Sequence, residues 1–140
     1  MSLFNIMNIA STGMSAESVR LNTTASNIAN ANSVSSSIDQ TYRARKPVFA
    51  AEMQRAIDDQ TAGSGVKVLG VVESDRPLQV EYSPGHPMAD KDGYIYKPNV
   101  NIVEEMADMM SASKAYETNV QVADTTKRIF RRVLQLGQGQ

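Results

Sequence analysis

The chain has 140 residues, 41% of them hydrophobic and 21% charged, with a formal net charge of −1. This length allows one or two small domains and excludes an enzyme with separate substrate and cofactor domains, and near-neutrality excludes a global basic field for nucleic acid or an anionic membrane surface. The absence of Cys excludes thiol catalysis, disulfides and thiolate metal sites, and there is no apolar run long enough to span a membrane.

In chain order, Leu3, Met7, Ala10, Met14, Glu17, Leu21, Thr24, Ile28 and Ala31 recur at alternate steps of four and three, predicting a helix from about Ser2 to Ala31 with a heptad seam. No basic leader with an apolar stretch and small-residue cleavage site precedes it, so a cleaved secretory signal is not expected. Gly13 weakens this helix, since Gly costs about 1 kcal/mol against Ala in a helix interior. Asn22, Asn27, Asn30 and Asn32 crowd its second half. Amides on a packed face hydrogen-bond across a helix pair and set its register; on an outer face they fray into a loop.

Ser33 to Gln40 is Ser-rich, lacks periodicity and reads as a loop. Thr41 to Ala50 contains Pro47, which restricts any strand to a short or edge position. Met53 to Gln60 has no apolar period, and Thr61 to Gly65 is a turn cluster. Val66 to Val72 is the best strand in the chain, with Gly70 marking a bulge. Leu78, Val80 and Tyr82 alternate with Gln79 and Glu81, as expected of a half-buried strand. Ser83 to Pro87 is a proline-bracketed turn, and Asp92-Gly93 is a hairpin-type turn leading into a strand at Tyr94 to Tyr96. Pro98-Asn99 then opens the longest element.

From Asn101 to Leu134 no Gly or Pro intervenes, and Ile102, Met106, Met109, Ser113, Tyr116, Val120, Ala123, Lys127, Phe130 and Leu134 repeat the four-three spacing. At 1.5 Å per residue this helix spans roughly 50 Å, more than a small domain needs. The expected fold class is α+β, with the terminal helices paired as an antiparallel coiled coil (1–33 and 98–140) around a small β-rich insert (34–97). The insert is too small to cover both seams, so surplus apolar edge predicts self-association or co-assembly.

Constellations that could carry chemistry are few. His86 with Ser83, Asp90 or Asp92 is the one enzyme candidate, a wall hydrolase for instance, but no nucleophile elbow accompanies it, and a turn-capping or packed histidine is much the favoured reading. Asp90-Lys-Asp92-Gly93 resembles part of a calcium loop, yet Met88 and Asn99 would occupy the first and twelfth positions, where the loop needs Asp and Glu. No catalytic, cofactor or metal residues are assigned. Lys127, Arg128, Arg131 and Arg132 form a basic cluster that complements the dipole of a helix C-terminus without a ligand.

Specific strings add to the periodicity. Leu21-Asn-Thr-Thr-Ala-Ser-Asn-Ile-Ala-Asn-Ala-Asn32 resembles the N-terminal signature of the bacterial flagellar rod and hook protein family. Tyr82-Ser-Pro-Gly-His-Pro-Met-Ala-Asp90, Asp92-Gly-Tyr94, Lys97-Pro-Asn-Val-Asn101 and Ser111-Ala-Ser-Lys-Ala-Tyr-Glu-Thr-Asn119 resemble the family's rod members, in order along the whole chain. The departure is at Ser33 to Ser37, where Thr and Gly are common in such proteins.

The resemblance implies a structural axial subunit of the periplasmic flagellar basal-body rod, exported by the flagellar type III apparatus. Its implied partners are copies of itself, other rod proteins, the hook–basal-body adaptor and the export apparatus, with no cofactor, nucleic acid or membrane insertion. The expected assembly interface is Leu3, Met7, Met14, Leu21, Asn22, Asn27, Ile28 and Asn30 on the first helix and Ile102, Met106, Met109, Tyr116, Asn119, Val120, Phe130 and Leu134 on the last. Asn22, Asn27, Asn30 and Asn119 are expected to set register. The alternative is a soluble coiled-coil adaptor that forms a closed oligomer.

Overall fold

A computed structural model describes residues 3–52 and 64–137. Its elements are α1 (Leu3–Asn30), a single 3-10 turn (Ile38–Gln40), β1 (Arg45–Ala51), β2 (Val66–Glu73), β3 (Gln79–Tyr82), β4 (Tyr94–Lys97) and α2 (Ile102–Gly137). The fold is α+β: α1 and α2 pack together, and two small antiparallel sheets, β1–β2 and β3–β4, are built from the chain between them. The expectations for 53–63 lie outside the described residues.

α2 begins where Asn101 Oδ1 accepts hydrogen bonds from the Val103 and Glu104 N–H groups at 3.1 and 3.3 Å, an N-cap that satisfies two otherwise unpaired donors. Glu104 and Glu105 in the first turn oppose the positive end of the helix dipole. Helix α2 runs uninterrupted to Gly137, and its last turn contains no basic residue. Lys127, Arg128, Arg131 and Arg132 therefore sit upstream of the turn in which a dipole is felt, and the dipole account expected for them does not hold; they form an exposed, solvated face.

The β1–β2 ladder is closed by Ser74 N–H donating to Ala44 O at 2.7 Å at one end and Glu52 N–H donating to Gly65 O at 2.8 Å at the other. A two-stranded sheet has only edges, which is why Pro47 is tolerated inside β1. In β3–β4, Gln79 faces Lys97 and Tyr82 faces Tyr94, whose rings meet edge-on at 5.2 Å. Gly93 closes this hairpin with φ +84°; a Cβ there would lie 2.9 Å from the Tyr82 ring, so only Gly satisfies both backbone and neighbour. The segment after α1 is not a free loop: Ser35 and Tyr96 exchange backbone hydrogen bonds of 3.0 Å along the other side of β4.

The expectation of a half-buried β3 is corrected, because all four of its residues are exposed. In this small sheet the buried position belongs to Ile95 of β4, leaving Val80 and Tyr82 uncovered within the chain.

The chain forms two compact units. One takes the described residues up to Val19, Val48–Gly70 and those from Ser111 on; the other takes Arg20–Pro47 and Val71–Met110. Each draws on both long helices and on β1 and β2.

In the first unit Phe4 meets Phe130 edge-on at 5.4 Å, and Gly13 lies against Asn119 so closely that an added Cβ would be 2.8 Å from Asn119 Nδ2. In the second unit Arg20 pairs with Asp108 at 3.0 Å and Asn27 bonds Glu105 at 3.0 Å. Within each unit the later α1 contact meets the earlier α2 residue, so the helices are antiparallel.

The helix seam differs from the heptad expectation in composition. The buried residues of α1 are Ala10, Ala16, Thr23, Thr24 and Asn27, and those of α2 are Glu105, Ala112 and Thr126. Ile102, Met106, Tyr116, Val120 and Leu134, expected to face α1, are exposed, as is Met7; Phe130 meets Phe4 of α1 while staying partly open, and Met109 is partly buried. Small side chains let two helix backbones approach closely, and the larger apolar residues flanking that contact are displaced to its rims.

Candidate assembly interface

A buried amide fixes the register of the helices in the second unit. Asn27, 1% exposed, has its Nδ2 donate to Arg45 O at 2.8 Å and Glu105 Oε2 at 3.0 Å, while its Oδ1 accepts from Arg45 N–H at 2.9 Å and Tyr42 O–H at 2.8 Å. The full hydrogen-bonding capacity of one side chain is thus used to tie α1, β1 and α2 together. Asn27, from within the Asn-rich string, thus hydrogen-bonds across the helix pair to Glu105.

The other expected register amides behave differently. Asn119 packs on Gly13, Asn30 Nδ2 donates to Ser26 O of its own helix at 2.8 Å, and Asn22 is exposed.

Asn99 is a second tie, which in the sequence reads only as part of the helix start at Pro98-Asn99. Its Oδ1 accepts from Ala44 N–H at 2.7 Å, and its Nδ2 donates to Ser74 O at 3.1 Å and Arg76 O at 2.7 Å, pinning the ends of both strands beside the start of α2. The available signal was an Asn two residues ahead of the capping Asn101, an amide not needed for capping itself. Glu104 adds a surface ion cluster, meeting Arg76 at 2.9 Å and Lys46 at 3.4 Å. The hydrogen bond from Arg76 and its charge hold the Glu104 carboxyl below the usual carboxylate range.

The His86–Asp90 region is a capped turn. His86 Nδ1 accepts from Met88 N–H at 3.1 Å, and Asp90 Oδ1 accepts from Tyr94 N–H at 2.8 Å and Asp92 N–H at 2.9 Å. Hydrogen bonds led by the one from Tyr94 N–H hold the Asp90 carboxyl below its ordinary range, while partial desolvation, then the hydrogen bond to Asp90, pushes the Tyr96 phenol up. Among the described residues no group of three or more His, Cys, Asp or Glu could hold a metal ion, and no helix is long and apolar enough to cross a membrane.

What the two units leave open is apolar. Along α2, exposed Ile102, Met106, Tyr116, Val120, Phe130 and Leu134 are joined by Val103, Met110, Val133 and Leu136, the last 79% exposed, which a strict four-three count passes over because they lie one position off it. On α1, Met7 is exposed, while Leu3, Met14, Leu21 and Ile28 are partly buried. In the first unit, Leu3, Phe4, Met7, Thr126, Lys127 and Phe130 enclose a notch of about 80 Å³, the size of a single apolar side chain. Large apolar side chains exposed together are the chemistry by which protein surfaces dock on one another.

Comparison with known proteins agrees with that chemistry. The family described as "Flagella basal body rod protein" matches residues 7–35, and that described as "Flagellar basal body rod FlgEFG protein C-terminal" matches residues 91–136. Similar proteins include the flagellar basal-body rod protein FlgC of Salmonella typhimurium, 46% identical over 138 residues, and that of Escherichia coli O157:H7, 45% identical over the same length. FlgC of Borreliella burgdorferi is 38% identical, and in all three the match covers 99% of this chain and 100% of the relative. With both long helices and the β segment between them matched end to end, the chain belongs to the FlgC family of flagellar basal-body rod proteins.

Proposed function

We propose that this chain is a non-enzymatic axial subunit of the periplasmic flagellar rod, assembling with copies of itself and other rod proteins into the tube that carries torque from motor to hook. In this proposal it is exported by the flagellar type III apparatus without a cleaved signal, and it meets the hook–basal-body adaptor. The observation that carries it is the division of labour on α2: its buried residues are the polar or small Glu105, Ala112 and Thr126, and its large apolar side chains, Phe130 beside Phe4 included, stay largely exposed. Long helices with unfilled apolar rims bind neighbours along their length, and heterologous contacts of that kind build tubes.

Ile102, Met106, Tyr116, Val120, Phe130 and Leu134, with Met7 and the partly buried Leu3, Met14, Leu21, Ile28 and Met109, form the interface in this proposal. Asn22 lies at its edge, and Asn27, Asn30 and Asn119 support it from within the chain.

The test is a Val120→Asp, Leu134→Asp double variant of the full chain. Exposed substitutions change folding stability by about 0.5 kcal/mol or less each, so the monomer should melt nearly as before. Incorporation into isolated basal bodies, and swimming, should be lost. Normal incorporation would overturn the interface, and a single sharp oligomer at all concentrations in sedimentation would favour a closed adaptor.

A further inference from the structure

We propose that Met106 and Met110 form an oxidation-sensitive site on the outer face of α2, whose conversion to sulfoxide changes that face while the helix pair stays folded. Three thioethers occupy little more than one turn of α2, and they differ in environment. Met110 is 74% exposed and Met106 is 54% exposed, whereas Met109 is partly buried beside the seam residues Glu105 and Ala112. Met106 and Met110 are one turn apart on one face, with exposed Val103 a turn before Met106.

Sulfoxidation follows access. A peroxide or hypohalous acid transfers one oxygen atom to the sulfur, which is oxidised by two electrons, and the oxidant is reduced to water or halide. The product places a polar S=O dipole in the middle of an apolar stripe, and a sulfoxide reductase restores the thioether. Because Met109 and the small seam residues are not the reactive ones, the chemistry is confined to the outside of the fold. The consequence for assembly rests on the interface proposed above: an oxidised free subunit is refused by the growing rod, whereas a subunit already packed is shielded.

The experiment treats the full-length chain with hydrogen peroxide and follows each methionine by fragment-ion mass spectrometry within the tryptic segment 92–114. Met110 and Met106 should oxidise several-fold faster than Met109, and the thermal midpoint and helical circular dichroism should be retained after the first two have reacted. Equal rates for Met109 and Met110, or loss of helicity with the first oxygen added, would overturn the proposal.

A Met106→Leu, Met110→Leu chain, treated alike, should keep the incorporation into basal bodies that the oxidised parent chain loses. Loss in both would place the lesion elsewhere and would also overturn it. Failure of the untreated parent chain to incorporate would instead count against the interface, and the order of oxidation would still decide the site.

Discussion

At the scale of residues, the fold depends on amides more than on large apolar side chains. Asn27→Ala removes four hydrogen bonds at once and leaves the Arg45 N–H and the buried Glu105 carboxylate without that partner. Its expected cost is about 3 kcal/mol in urea unfolding, since buried groups left unsatisfied cost more than the bonds contribute when made. Acid sensitivity belongs to other residues. The Glu81, Asp90 and Glu104 carboxyls are held below their ordinary range, by the Lys97 hydrogen bond, by the Tyr94 N–H and by Arg76 respectively. A carboxylate with a depressed folded-state pKa stabilises the fold above its unfolded value and ceases to do so as pH falls through the folded value. Stability should therefore be level from neutrality to about pH 5 and decline below about pH 4. Thermal melts across that range check the trend, and carbon-detected NMR titration should show the Asp90 carboxyl protonating below an Asp in the urea-unfolded chain. Asn27 stands out in the sequence because Asn is a poor helix former amid a helical pattern. Its three partner residues, Tyr42, Arg45 and Glu105, do not stand out, since they come from distant positions.

At the scale of elements, the glycine that weakens α1 as a sequence is what admits its neighbour. An Ala at position 13 recovers about 1 kcal/mol of helix propensity but must displace the end of the Asn119 side chain, which it would approach to 2.8 Å. The two effects nearly cancel, so Gly13→Ala should change the unfolding free energy by under about 1 kcal/mol. Gly13→Leu has no such escape and should destabilise by about 1–3 kcal/mol, with the double change Gly13→Leu, Asn119→Ala recovering part of the loss in a mutant cycle. Existence and type of α1, α2 and the four strands were legible from period and punctuation. The burial of β3 was not, because alternation shows which side chains share a face and says nothing of whether anything covers it. The helix seam was displaced for a related reason. A heptad count rewards large apolar residues, whereas close approach of two backbones rewards Ala, Gly and Thr.

At the scale of the whole molecule, the end of α2 is a helix with little of its own chain to hold it. Every described residue from Lys127 to Gly137 is exposed. Helical segments without tertiary cover open readily. In hydrogen exchange of the free chain, amides of this segment should exchange orders of magnitude faster than those around Asn27, and they should gain protection in intact rods; equal protection of both segments in the monomer would remove the need for neighbours. By itself the sequence determined that two long helices flank a small β segment, because periodicity and the placement of Gly and Pro act locally. The ordered strings around Ser83–Asp90 and Ser111–Asn119 likewise made the flagellar rod family legible. Only the tertiary structure decided which face of each helix closes on the other and which remains outside. That choice depends on the distance of approach that Gly13, Ala112 and Asn27 permit, and packing distance is a property of the pair.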